Sequence, residues 1–270
     1  ADGGTEVVDL DGRTVLPGFH DLHVHPTYGG IIYSGADHTN CKIAQGSSVE
    51  VLVDAVRGCV AAVSGSEWVT GGQWDTSALG QAPHRSMLDA VSPDTPVILN
   101  DTSGHSVWAN SVALRLAGVT ADTPDPEGGI IDRDSEGNPT GVLRESANGL
   151  VRRHVPPPSD EVIRESLEWA LQTMLSYGIT SFTDASTGFV GGASRAIETY
   201  ANLADEGILK QRVRLCLNWR GGDGAPGDEA ADLLVERREQ YERDRLTLDC
   251  VKIFLDGVPT DSHTAAMLDA

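Results

Sequence analysis

The sequence predicts an α/β fold: a parallel sheet covered by helices, of the (β/α)8 TIM-barrel type and incomplete within these 270 residues. Three observations carry that expectation. Short continuous runs of β-branched residues alternate with stretches of helical periodicity, the pattern of strands buried on both faces. The first such strand ends on His23 and His25, and the last carries a lone lysine, Lys252. More than 200 residues separate these two strands. They bracket only about four strand–helix units, whereas a complete barrel has eight in about 250 residues.

Residues 1–16 read as the tail of another unit. The segment "TEVVDLDGRTV" holds two short strand signals around an Asp-Gly turn, a hairpin too small to stand alone. Pro17-Gly18 then punctuates the entry to "FHDLHVHP". Helical spacing runs over 48–63, a strand or loop over 67–74, a short helix over 84–92, a strand over 95–101 and a helix over 106–119 stopped by Gly118. Residues 120–145, rich in Asp, Pro and Gly, read as a hairpin-rich insertion within a unit spanning 17–270. An amphipathic helix follows over 160–178, with Ser159 or Asp160 as its cap and Gly178 as its stop. After it come a strand (179–185), a helix (193–206), a strand (212–219), a charged helix (227–243) and a strand (248–257). The barrel is unfinished at Ala270.

Composition narrows the function. A formal charge of −20 argues against nucleic acid, which needs a basic face. No apolar run approaches the roughly 18 residues of a membrane span. Only three lysines are present, Lys42, Lys210 and Lys252, and aspartate outnumbers glutamate. Such a carboxylate-rich surface suits concentrated salt, where screening removes self-repulsion, so a halophilic source is expected. An acidic proteome of a high-GC bacterium is the competing explanation. The four cysteines, Cys41, Cys59, Cys216 and Cys250, show no CxxC spacing. They read as buried free thiols of a reducing compartment, the cytoplasm. The chain opens without a methionine, which is compatible with a removed leader or an earlier segment.

Side chains alternate along a strand, so Asp21, His23 and His25 share one face. Imidazoles at i and i+2 can reach one divalent metal, with Asp21 in support below them. Satisfied strand histidines are common, and on spacing alone the two readings stand level. Lys252 adds weight to the metal. A buried ammonium is costly unless paired or neutralised. It either pairs with Asp184 or Asp256, or reacts with carbon dioxide to give a carbamate that bridges two metals. Trp74, Asp75 and Glu145 follow or end strand signals and are candidates to contact substrate; His105 also follows a strand signal. Their bland readings are loop capping for His105, packing for Trp74 and Asp75, and pairing with Arg144 or Arg152 for Glu145. Asp184 ends its strand and could support a ligand.

Taken together, "VLPGFHDLHVHP", "GGQWD", "PVILNDTSGHSVWANSVALRLAGV", "GGIIDRDSEGNPTGVLRESA", "YGITSFTDAS" and "VKIFLDGVPTDSHTAAML" resemble the amidohydrolase superfamily. More narrowly they resemble its amidohydrolase-3 (YtcJ-like) branch, which includes N-substituted formamide deformylases. The resemblance covers nearly the whole chain. It implies a barrel with a β-sandwich subdomain built from both chain ends, of which residues 1–16 are a remnant. It also implies one or two divalent metals, zinc by default, that activate water to hydrolyse a carbon–nitrogen bond in a small amide-like substrate. His23 and His25 match the first-strand ligands, and Lys252 matches the lysine that is carboxylated in binuclear members. The candidacy of His105 as a substrate contact is likewise what the resemblance implies. The family's two further histidines and its general-base aspartate lie on later strands than this chain contains. The chain therefore reads as an N-terminal half, inactive alone, whose open sheet would favour homo-oligomers. A non-catalytic metal-binding or regulatory relative, and deaminase or esterase chemistry on the same scaffold, are the alternatives.

Overall fold

Two sheets divide the strands. The computed structural model describes residues 3–64, 67–188, 190–218, 235–236 and 238–253. The first sheet is wholly parallel and runs β1 (Phe19–Val24), β8 (Ile179–Thr187), β9 (Arg212–Asn218), β10 (Leu246–Lys252). The second runs β2 (Asn40–Lys42), β3 (Thr70–Trp74), β4 (Ile98–Asp101), β5 (Ser106–Ala109), β7 (Pro139–Glu145), β6 (Gly129–Arg133). Its first three strands are parallel to one another and the remaining pairings are antiparallel. The α/β class with parallel pairing thus agrees with the sequence. The strands at 70–74 and 98–101, however, do not join β1: they belong to the second sheet, which the chain completes before returning to pair β8 with β1.

Helices with clear amphipathic spacing form where expected. They are α2 (Val49–Ala62), α7 (Asp160–Ser176) and α8 (Ala193–Asp205), and the Ser159 side chain caps α7 by accepting from the Val162 amide. Leu167 and Leu171 of α7 and Ile197 and Tyr200 of α8 pack on Phe182 and Leu215, forming the core against the first sheet. Leu52 and Val56 of α2 and Leu88 of α4 (Arg85–Asp89) cover Val69, Leu99 and Trp108 of the second sheet. The short helix α1 (Pro26–Tyr33) has no counterpart in the sequence reading, although Pro26 at its first position is a helix-start signal. It lies so tightly on α7 that a methyl group at Gly30 would overlap the Ser166 carbonyl.

Three expectations are corrected. The helix expected over 106–119 splits, because Ser106–Ala109 pairs on both sides as β5 and only Ser111–Leu116 is helical (α5), capped by Asn110. Residues 5–15 form no strands among the described residues. The Asp11-Gly12 turn does form, with Arg13 N–H donating to the Leu10 carbonyl, but its arms find no sheet to extend. The cysteines are not free thiols. Cys41 of β2 is bonded to Cys59 of α2, and Cys216 of β9 to Cys250 of β10 at paired positions. Tertiary pairing, not sequence spacing, brings each pair together. Disulfides persist in oxidising compartments, so the cytoplasmic placement loses its premise. The expected charged helix over 227–243 lies largely outside the described residues.

Candidate metal centre

The end of β1 and the end of β8 meet at one cleft. His25 closes β1 and stands at the cap position of α1, and the cleft beside it is lined by His25, Thr27, Asp184 and Ser186. The His23 and His25 rings lie edge to face with centroids 5.4 Å apart. His23 is exposed and His25 half-buried. The parallel register sets Asp184 opposite Val24, and that places Asp184 Oδ1 3.8 Å from His25 Nδ1.

Asp184 is buried, which a carboxylate tolerates only with donors around it. It has them: Tyr200 donates its hydroxyl to Oδ2 at 3.1 Å, and the Ser186 amide donates to Oδ1 at 3.2 Å. Burial, with the neighbouring Asp184 carboxylate, pushes the Tyr200 phenol well above its ordinary value. Sequence reasoning found Asp184 but not Tyr200. Its one signal was a tyrosine on the apolar face of α8, in line with Ile197 and Leu203.

Asp21 is half-buried on β1. Its carboxylate accepts from the His23 amide at 3.0 Å, so it folds back on its own strand. Lys252 ends β10 opposite Asn218 and is half-buried, while its neighbours Val251 and Ile253 are exposed. The expected burial of this strand is corrected, since β10 is an outer strand of the described sheet. β1 and β10 stand at opposite edges of the sheet, three strand spacings apart, or about 14 Å if it were flat. Asp256 lies outside the described residues.

His105 and Glu145 come together, but with each other. His105 Nδ1 is 2.9 Å from both Glu145 oxygens. Glu145 holds a left-handed backbone (φ 48°), and its amide donates to the His105 carbonyl. Arg144 is not its partner, being engaged by Asp132. Trp74 is a core residue, 3% exposed, with its indole N–H donating to the Leu99 carbonyl and its ring against Trp108. Asp75 caps the short helix α3 (Thr76–Leu79), and the Ser77 hydroxyl and amide hold its carboxyl below the usual value.

Two imidazoles ending one strand, one with a buried carboxylate beside its ring nitrogen, fit part of a metal's donor set. Among the described residues, no group of three His, Cys, Asp or Glu side chains is gathered to complete it.

The model of the amidohydrolase family matches residues 6–270. The chain is 34% identical over 261 residues to the N-substituted formamide deformylase of Arthrobacter pascens, covering 93% of this chain and 46% of that one. It is 28% identical over 258 residues to the putative amidohydrolase YtcJ of Bacillus subtilis, covering 94% and 45%. The structure of an uncharacterized metal-dependent hydrolase from Pyrococcus furiosus superposes with a TM-score of 0.59 at 26% identity, over 98% of this chain and 52% of that one. The chain spans about half the length of these relatives.

Proposed function

The chain belongs to the amidohydrolase family, in its amidohydrolase-3 (YtcJ-like) branch, and on that premise we propose that it serves a metal-dependent hydrolase cleaving a carbon–nitrogen bond of a small amide-like substrate. The activity is proposed for a protein as long as its relatives. We read the four parallel strands as the first part of a (β/α)8 barrel, and the six-stranded sheet as a unit inserted between its first two strands. Support comes from the strand order β1-β8-β9-β10, in which each strand pairs with the next one of that sheet along the chain.

The observation that carries the proposal is the His23–His25 pair on the end of β1, with Asp184 buried 3.8 Å from His25 Nδ1. His23, His25 and a carboxylated Lys252 would hold the metal, zinc by default, with carbon dioxide as the source of the carbamate. A divalent metal there supplies Lewis acidity, making bound water acidic and the substrate carbonyl more electrophilic. Asp184, fixed by Tyr200 and Ser186, stands 3.8 Å from His25 Nδ1, where its charge would favour the tautomer with the proton on Nδ1 and leave the Nε2 lone pair to a metal.

Elemental analysis tests this. The protein extended by its downstream sequence and supplied with bicarbonate should hold about two metals per chain. His23→Ala with His25→Ala should remove them, and Lys252→Ala should leave one or none. Equal metal content in all three would refute the site. Loss only with the histidine changes would reduce it to a mononuclear centre and make Lys252 structural.

A further inference from the structure

A cavity of about 480 Å³ lies on one face of the six-stranded sheet, between Ile98 and Asn100 of β4, Tyr28 and Ile31 of α1, and the prolines at 156–158. It is a different opening from the cleft at His25, with which it shares, among the described residues, only Tyr28 and Val190. The size is that of a small-molecule site, and its walls join apolar side chains to one strong cation, Arg152 at the end of α6 (Asn148–Arg152), and two carboxylates, Asp37 and Glu67, that are engaged by neighbours.

We propose that this cavity binds a small organic carboxylate with an apolar body, its carboxylate held by the Arg152 guanidinium. The hydrogen bonding of Arg152 within the cavity shows why. Arg144 is engaged by Asp132 and Arg133 by Asp125. Arg152, by contrast, donates one bond to the Asn100 side-chain oxygen. Among the described residues, no carboxylate lies within ion-pairing distance of it. A guanidinium carries five N–H donors in a fork that matches a carboxylate, so most of its donors face no protein acceptor.

Nearby acids do not fill that role. Asp101 accepts from the Ser106 amide and the Ser103 hydroxyl. Asp37 accepts from the amide and hydroxyl of Thr39, and Glu67 is engaged by His38 and the Ser64 amide. Arg152 lines the cavity and is exposed. The protein packed around it still pushes its guanidinium below the ordinary value, against the opposing influence of Tyr28 and Asp101. A chain of formal charge −20 repels anions at long range, so retention of a carboxylate would report this local cation.

The proposal is independent of the metal reading, and its test uses chelator-treated protein. Calorimetric titration with 3-phenylpropanoate should give saturable one-site binding. The neutral 3-phenylpropanamide should bind at least about tenfold more weakly, the loss of charge-assisted hydrogen bonds. Arg152→Met should weaken the acid to the level of the amide, and Ile31→Trp, which fills the cavity, should abolish both. No saturable binding, or equal affinity for acid and amide, would overturn the proposal, as would a folded Arg152→Met protein that binds like the wild type. If Arg152→Met does not fold, the acid–amide comparison in the unaltered protein decides.

Discussion

Replacing Tyr200 with phenylalanine isolates the hydrogen bond that holds Asp184 in place. The ring is fully buried among core side chains, with Phe182 6.4 Å away between centroids. Phenylalanine keeps that packing and removes only the hydroxyl that donates to Asp184 at 3.1 Å. A hydrogen bond to a charged group contributes about 1.5–3 kcal/mol. Asp184 keeps the Ser186 amide, so a loss of about 2 kcal/mol at neutral pH is expected. For a chain of this size that lowers Tm by about 4–8 °C, readable in urea or thermal unfolding. The substitution also changes the pH profile. Because the phenol of Tyr200 is pushed up in the folded state, the folded protein holds that proton more tightly than the unfolded chain. The associated stability is fully present below about pH 10, the unfolded value, and declines as pH rises beyond it. Tyr200→Phe should remove this share of the alkaline decline. Tyr28, also pushed up by burial, keeps its own share in both proteins. A loss below about 0.5 kcal/mol, the range of an ordinary surface change, together with an unchanged alkaline slope, would refute the assignment of Tyr200 as the support of Asp184.

Other perturbations follow from the same structure. Unfolding without reductant should expose no thiols. Changing Cys216 and Cys250 to serine opens a loop of 34 residues and should cost about 4 kcal/mol in urea unfolding; free thiols in the oxidised native protein would contradict the pairing. Gly30→Ala should destabilise by about 1–3 kcal/mol because the methyl overlaps the Ser166 carbonyl. Gly29→Ala, with nothing in reach of the added carbon, should gain up to about 1 kcal/mol, so equal effects would refute the close crossing of α1 and α7. Tm should rise between dilute and molar potassium chloride, since the formal charge of −20 is self-repelling until screened; a flat profile would remove the halophilic reading.

The helices α2, α7 and α8 were legible because amphipathic periodicity is written over many consecutive residues. The strands β8 and β9 were legible as apolar, β-branched runs between turn signals. The division into two sheets was not, since nothing local in "FHDLHV" or "ITSFTDAST" states that residue 24 pairs with residue 184. "SVWA" misled for a related reason. Its spacing continues the helix after it, but both its edges are taken by β4 and β7, and tertiary pairing overrides a weak local preference. The disulfides escaped for the same cause, because Cys216 and Cys250 meet only through the register of β9 with β10.

The candidate centre divides along the same line. His23 and His25 were legible because the two-residue repeat of a strand is local. That Asp184 reaches the side of His25 depends on one register, Val24 opposite Asp184. A slip by one residue would turn Asp184 to the other face and leave the imidazole facing Ala185 or Thr183. The bulge in β1 between Asp21 and Val24 belongs to that register, and it explains why Asp21, read as the supporting acid from its spacing, turns to its own backbone instead. Lys252 is the extreme case. Its strand is legible, but whether it meets the histidines depends on how far the sheet curves from β1 to β10. Curvature is the cumulative twist of every strand between them and is encoded in no single motif. The metal content of Lys252→Ala therefore tests the closure of the sheet as much as the chemistry of one lysine. Only a sheet curved into a barrel wall could bring the two outer strands to a common metal.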